Sequence, residues 1–291
     1  MDSLNEVRKR IVSALQSAGV DRFESEREAD LIIEHTTNLS KSQQMADPEL
    51  VLSANAISSV DNILAERARR FPLQYLLGEQ WFMGLRFKVT PDVLIPRADT
   101  ETLVEVALKF LRARSSPRFV DIGTGSGCIA IAILKQLPSA HAVAVDVSPQ
   151  ALAVARENAE ALGVSDRIEF INCSWSDYQP RAQFDALVCN PPYIPVSRAP
   201  ELQPEVGVFE PKQALFGPDA DGLGFYRDLS ANAGRHLNGA GMLAVEVGID
   251  QSAPVAALLA DAAWKNVVAH NDLNGIARCI SALHALEPIG R

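Results

Sequence analysis

The sequence predicts an α/β fold, in which a doubly wound sheet of seven strands follows a small N-terminal helical domain and a connecting β-hairpin. Three observations predict it. From Arg118 onward, short apolar runs alternate with stretches of helical periodicity, and the first run ends in the glycine turn Gly123-Thr124-Gly125-Ser126-Gly127. Another such run, Phe184-Asp185-Ala186-Leu187-Val188-Cys189, stops at Asn190-Pro191-Pro192-Tyr193, where two prolines force the chain out of the sheet. Before residue 71 only helical patterns occur, with no glycine-rich, metal or nucleophile pattern.

Composition narrows the class. The 291 residues suffice for one large or two modest domains, and 47% hydrophobic with 22% charged residues is ordinary for a globular chain. No apolar run approaches the roughly 18 residues of a membrane span, and Met1-Asp2-Ser3-Leu4-Asn5-Glu6 lacks the basic and apolar regions of a signal peptide. A cytoplasmic protein with no membrane partner is expected. The net charge of −9 disfavours non-specific binding to nucleic acid. Cys128, Cys173, Cys189 and Cys279 form no CxxC pair and the five histidines show no ligand spacing, so no metal site is expected.

Taken in order, Ser3 and Glu6 form a capping box, and Leu4, Val7, Ile11, Ala14, Leu15 and Ala18 mark one apolar face until Gly19 stops the helix. A second helix is expected over 25–37, a short segment opened by Asp47-Pro48 through Leu52, and a further helix from Ser58 or Ser59. The basic end Arg67-Ala68-Arg69-Arg70 either complements a helix C-terminus or meets an acidic or RNA partner. Residues 1–70 read as a recognition domain rather than a catalytic one. Residues 71–97 form a linker containing a hairpin turned at Gly84, and Asp99 is the expected N-cap of the helix that opens the domain 98–291. Within that domain the strands fall at Phe119–Ile122, His141–Asp146, Ile168–Ile171, the run ending at Cys189, Gly241–Val247, Asn266–His270 and Ile276–Ser281.

The strand ends carry the chemistry. A strand, a glycine turn and a helix N-terminus let a ligand approach backbone N–H groups closely. The spacing of Gly123, Gly125 and Gly127 does not match GxGxxG. Asp146 ends the next strand, where a carboxylate accepts both hydroxyls of a ribose. Trp175, after the third strand, either covers an adenine or is a buried core residue. At the fourth strand end, a planar –NH2 group finds two acceptors, the Asn190 side-chain oxygen and the Pro191 carbonyl, with Tyr193 against its face. Together these suit an adenosyl cofactor delivering a group to an –NH2 nitrogen. Glu210 and Glu246 are either pocket-lining acids or ordinary capping and strand-end acids.

Asp121-Ile122-Gly123-Thr124-Gly125-Ser126-Gly127, Asp146 and Asn190-Pro191-Pro192-Tyr193 resemble the S-adenosylmethionine-dependent amino methyltransferases. With Pro72–Gly78, Gly84–Val89, Leu94-Ile95-Pro96-Arg97, Phe209-Glu210-Pro211 and Asp272–Gly275, the chain from about residue 60 onward is similar to the HemK/PrmC family. That family methylates the glutamine of the Gly-Gly-Gln motif in peptide chain release factors. The resemblance implies S-adenosylmethionine as cofactor and S-adenosylhomocysteine as product. It also implies that Gly123, Thr124, Gly125, Ser126 and Gly127 hold the methionine part, Asp146 the ribose, and that Trp175 lies by the adenosine. Asn190, Pro191, Pro192 and Tyr193 would receive the glutamine amide, with Asn190, Pro191 and Tyr193 catalytic and Asn190 also next to the cofactor. Ser174 departs from the family, which often carries Asp before this Trp, and Ala98 replaces its usual proline.

Two other readings share parts of this pattern. A DNA or RNA amino methyltransferase has the same clamp but needs a basic groove, which −9 opposes. A nicotinamide oxidoreductase has the glycine turn and Asp146 but no use for Asn190-Pro191-Pro192-Tyr193. In the amide reading, the nitrogen lone pair is delocalised and attacks poorly; hydrogen bonds from both its hydrogens would hold it and favour pyramidalisation, positioning in line with the methyl is the main remaining task, and no general base is assigned.

Overall fold

The computed structural model describes residues 2–285. The described chain divides into two compact units, one running to Gly78 and including Gln203–Phe209, the other spanning Glu79–Leu202 and resuming at Glu210. The helical unit is therefore longer than residues 1–70 and is discontinuous in sequence.

In the helical unit, the helices Leu4–Ser17, Arg22–Thr37 and Ala54–Arg67 enclose a core of Leu4, Val7, Ile11, Leu15, Ala29, Ile32, Ile33 and Val60. The Ser3–Glu6 capping box forms as expected, and Gly19 takes a positive φ of 82° just after the first helix. Other boundaries differ from the sequence expectation. The second helix starts earlier, capped by Asp21, and the last starts at Ala54, capped by Ser53 rather than Ser58 or Ser59. Asp47-Pro48 follows a helix instead of opening one: Lys41–Ala46 is helical, with a capping box between Ser40 and Gln43. At the basic end, Arg67 and Arg70 meet carboxylates of the same unit. Arg67 is buried, with its guanidinium on Glu28 (2.8 Å) and Glu205 (3.2 Å), while Arg70 holds Glu205 through two nitrogens (2.6 and 2.7 Å). Burying an arginine is tolerable only with such paired, hydrogen-bonded carboxylates. Thus Glu205 ties Gln203–Phe209 to the bundle, and Phe209 packs edge-on against Phe71, their rings 5.1 Å apart.

The second unit begins with the hairpin β1 (Glu79–Phe82) and β2 (Leu85–Lys88), turned at Met83 and Gly84, both at positive φ, which suits the twist of a two-residue turn. Seven strands follow: β3 (Arg118–Ile122), β4 (His141–Asp146), β5 (Ile168–Asn172), β6 (Phe184–Cys189), β7 (Leu237–Glu246), β8 (Lys265–Asn271) and β9 (Ala277–Leu283). They lie in the order β5-β4-β3-β6-β7-β9-β8, with β9 antiparallel to both neighbours and the other pairings parallel. Helices cover both faces, giving one core around Leu103, Ile131 and Ala186 and another around Val120, Leu187 and Leu243. The apolar stripe Leu103, Val104, Ala107, Leu108 and Leu111 is buried as expected, on the helix Glu101–Leu111. Asp99 does not cap that helix. It sits in the 3-10 turn Ala98–Thr100 and pairs with Arg278 at 2.8 Å. Among the described residues, no helix is long and apolar enough to cross a membrane.

Candidate active site

The strand order reverses between β3 and β6, which pair directly from Phe119↔Ala186 to Ile122↔Cys189. In an open α/β sheet, the loops leaving such a pair diverge to opposite faces and open a crevice between them. The glycine turn after β3 and the Asn190 segment after β6 flank this crevice. A Cβ placed on Gly123 would come within 4.0 Å of the Asn190 carbonyl oxygen.

The glycine turn is held from below. Gly123 and Thr124 N–H groups both donate to the Val145 carbonyl (2.8 and 3.1 Å), and the Thr124 hydroxyl donates to Asp121 Oδ2 at 2.7 Å. Asp121 is fully buried, its Oδ1 makes no hydrogen bond, and burial pushes its pKa up to about 7. Gly127 is the helix N-cap at φ 80°, and a Cβ there would meet Ile131 Cδ1 at 2.9 Å, so only glycine closes this turn.

Asp146, ending β4, accepts from the Gly125 N–H through Oδ2 and from the Ser148 N–H through Oδ1, both at 2.9 Å. Burial raises its pKa and the backbone donors oppose that rise. Each carboxylate oxygen has a further lone pair for a hydroxyl donor. Trp175 is 7% exposed and packs 4.9 Å from the His236 ring, and its Nε1 is buried without a partner. Ser174 donates to Asp177 at 2.6 Å, at the exposed side of the same turn.

After β6, Asn190 Nδ2 donates to the Thr100 hydroxyl at 3.3 Å. Tyr193 donates its phenol to Glu246 Oε1 at 3.3 Å, while its carbonyl accepts from Gln251 Nε2 at 2.9 Å. Burial, and the Glu246 charge beside it, raise the Tyr193 pKa, so the phenol stays protonated. Gly222, at φ 70°, packs so closely that a Cβ would stand 2.2 Å from the Tyr193 carbonyl oxygen. Arg97 forms an ion pair with buried Glu210, whose pKa is raised by burial.

These elements line one cavity of about 410 Å³. Of the residues singled out in the sequence, Gly123, Thr124, Gly125, Ser126, Asp146, Trp175, Asn190, Pro191 and Pro192 belong to the lining. Gly127 and Tyr193 do not: the first closes the turn and the second directs its hydroxyl to Glu246. Glu210 and Glu246 are not lining acids either: Glu210 pairs with the lining residue Arg97, and Glu246 accepts from the Tyr193 phenol. Thr100 and Phe225 join the lining without having been marked by any motif. Thr100 lies in a stretch whose capping pattern pointed to Asp99 instead. An adenosyl group fits the donor set, because Ser126 Oγ and Trp175 Nε1 are buried in this lining with no hydrogen-bond partner.

Residues 98–200 match the methyltransferase small domain and residues 6–78 the PrmC N-terminal domain. Release factor glutamine methyltransferase of Geobacter sulfurreducens is 44% identical over 79% of this chain and 79% of its own length. The protein of the same name from Cereibacter sphaeroides is 40% identical over 93% of this chain and 95% of its own. A methyltransferase from Pyrococcus furiosus superposes at a TM-score of 0.50 with 16% identity, covering 70% of this chain and 90% of that one, and shares the fold.

Proposed function

The chain belongs to the release factor glutamine methyltransferase family, and on that premise we propose how its cavity divides the reaction between a cofactor half and an acceptor half. The enzyme is a protein-glutamine N-methyltransferase acting on peptide chain release factors. In this reading the donor is S-adenosylmethionine, the product is S-adenosylhomocysteine, the acceptor is the glutamine of a Gly-Gly-Gln motif, and the site of action is the cytoplasm. The observation that carries the reading is the direct pairing of β3 with β6, which sets the glycine turn and Asn190 on one cavity.

In the cofactor half, the Gly123–Ser126 backbone receives the methionine part, Asp146 the ribose hydroxyls, and Trp175 borders the adenosine. When bound, the donor supplies a methyl group on a sulfonium, an electrophile with a good leaving group. In the acceptor half, Asn190 Oδ1 and the Pro191 carbonyl accept the two N–H bonds of the incoming amide. That hold matters because the amide nitrogen shares its lone pair with its own carbonyl and is a poor nucleophile unless fixed and polarised. Pro191 and Pro192 keep the two acceptors in a stiff extended segment. Tyr193, outside the lining, anchors the end of that segment on Glu246. The amide proton becomes acidic on transfer and passes to water. The helical unit serves recognition of the protein substrate, since the cavity is lined by none of its residues.

Incubation of the full chain with labelled S-adenosylmethionine and a purified release factor, followed by peptide mass analysis, tests the reading. One added methyl group on the motif glutamine is expected, and a substrate with that glutamine changed to asparagine should stay unlabelled. Methylation elsewhere, or of nucleic acid alone, would overturn it.

A further inference from the structure

The motif Asn190-Pro191-Pro192-Tyr193 leads one to expect the Tyr193 ring against the acceptor amide. In the structure Tyr193 turns its phenol to Glu246 and lies outside the cavity lining. The aromatic rings that do line the cavity are those of Trp175, Phe216 and Phe225. Trp175 and Phe225 both pack against the core around Val120, Leu187 and Leu243. Phe216 is half-buried and belongs to neither core of this unit. A large apolar side chain that borders a cavity with no core behind it gains burial only when something enters the cavity.

Two anchors put Phe216 on the acceptor side. Its segment starts at Glu210, whose buried carboxylate pairs with cavity-lining Arg97, and continues through the short helix Lys212–Leu215. The segment ends beside the exit from β6. There the Ile194 N–H donates to the Leu215 carbonyl at 3.0 Å, and the Gly217 N–H donates to the Ile194 carbonyl at 3.1 Å. Together these bonds make a parallel bridge between Ile194 and Phe216. The two stretches run so close that a Cβ on Gly217 would stand 3.0 Å from the Pro192 carbonyl oxygen. Phe216 therefore meets the cavity from a backbone that is bonded directly to the Asn190 segment. Pro211, Ala214 and Pro218 line the cavity from the same stretch, with Gln213 as its polar member.

A glutamine carries its amide at the end of two methylene groups. Once Asn190 Oδ1 and the Pro191 carbonyl hold the amide, that stem lies along the wall beside them, and burying it is favourable in proportion to the apolar area taken from water. We propose that the Phe216 ring is the wall on which the methylene stem of the acceptor glutamine packs, which makes Phe216 a specificity-determining residue of the methyl transfer. The inference rests on the reading of Asn190 and Pro191 as the clamp. The stem takes no part in bond making, so its contact is the same before and during transfer. It acts on substrate affinity and not on the chemical step.

The test uses the full chain loaded with S-adenosylhomocysteine, and a Gly-Gly-Gln peptide whose glutamine is isotope-labelled for NMR. In the wild-type complex the stem protons should shift upfield, because protons over the face of an aromatic ring lie in its shielding current. Phe216→Leu keeps an apolar side chain without the ring, so it should hold peptide affinity within about threefold and abolish the shift. Phe216→Ala should weaken peptide binding and raise KM about tenfold, with kcat and S-adenosylhomocysteine affinity each within about threefold. An upfield shift that survives in Phe216→Leu overturns the proposal, since another ring then covers the stem. Wild-type peptide affinity in Phe216→Ala overturns it too. So do equal losses of peptide and S-adenosylhomocysteine affinity, because Phe216 would then support the whole cavity. If Phe216→Ala does not fold, the leucine variant decides alone. Asn190→Ala separates the two readings: a wild-type rate there removes the clamp itself, whereas an inactive Asn190→Ala beside an unaffected Phe216→Ala removes the stem wall and leaves the function standing.

Discussion

On the proposed reading, the cofactor half and the acceptor half of the cavity are built by different means. The cofactor half is mostly backbone: a glycine turn held by the Val145 carbonyl and, through the Thr124 hydroxyl, by Asp121, with one carboxylate, Asp146, that itself receives two backbone donors. The acceptor half is mostly side chains drawn from distant places. Thr100 meets Asn190 across 90 residues, and Tyr193 meets Glu246 across 53. Backbone cradles are stiff because the sheet fixes them, so they suit binding a common ligand. Side-chain networks can be oriented and switched by their neighbours, so they suit a group that must act only when the amide is in place.

If this division is right, damage to one half should leave the other's signature intact. Asn190→Ala carries the largest expected effect, a fall of about a hundredfold or more in single-turnover rate with S-adenosylhomocysteine affinity within a few-fold. A rate near wild type would erase the distinction. Asn190→Asp sharpens it: the carboxylate still accepts but loses the –NH2 that Thr100 holds, so it should be slow as well. Next, Asp146→Asn should weaken S-adenosylhomocysteine binding about 10- to 100-fold by calorimetry, since it loses the charge and one backbone acceptor, yet turn over nearly normally at saturation. An unchanged dissociation constant would remove Asp146 from the cofactor half. Gly222→Ala, which drives a methyl into the Tyr193 carbonyl, should cut turnover about tenfold and leave cofactor affinity alone. Equal losses in both would mean the halves are one rigid body.

The smallest effect is on stability against pH. Asp121 titrates near 3.8 when unfolded and about 7 when folded, so the folded state binds the extra proton between those values. Its contribution is full below about pH 4 and is lost as pH rises through 7, with a slope of at most about 1.4 kcal/mol per pH unit. Glu246 adds a loss of the same sign as pH rises through about 7. Denaturation followed from pH 5 to pH 8 should show wild-type stability falling, and Asp121→Asn should flatten that fall. A wild-type curve rising over this range would contradict the burial of both acids.

The same division explains what the sequence made legible. The seven strands, the glycine turn and Asp146 could be read because each is a contiguous pattern whose meaning is local. Asn190-Pro191-Pro192-Tyr193 could be read for the same reason, since two prolines end a strand wherever it lies. Thr100 could not, because its importance comes from a bond to a residue 90 positions away. Asp99 looked like a cap by proximity, but the pull of Arg278 outweighs the helix dipole there. In the helical unit, serines and aspartates offer several equivalent caps, so the starts at Asp21 and Ser53 were displaced in the reading. Lys41–Ala46 carries too few apolar residues for a period, although Ser40 and Gln43 spell the capping box that forms. Arg67 read as part of a basic helix end because nothing local marks Glu28 and Glu205 as its partners.

Gln203–Phe209 gives the chain an unusual accountancy of parts. The polypeptide changes unit at 78/79, at 202/203 and again at 209/210, so no single cut separates the two. A chain shortened to begin at Glu79 would keep Glu205 and Phe209 while losing Arg67, Arg70 and Phe71, the residues that hold them. The helical unit is consequently not a cassette to be trimmed or grafted. Any exchange of it for another module must carry a seven-residue patch that follows Asn190-Pro191-Pro192-Tyr193 in the sequence, or redesign that patch to stand in water. The next residue after the patch is Glu210, the partner of cavity-lining Arg97.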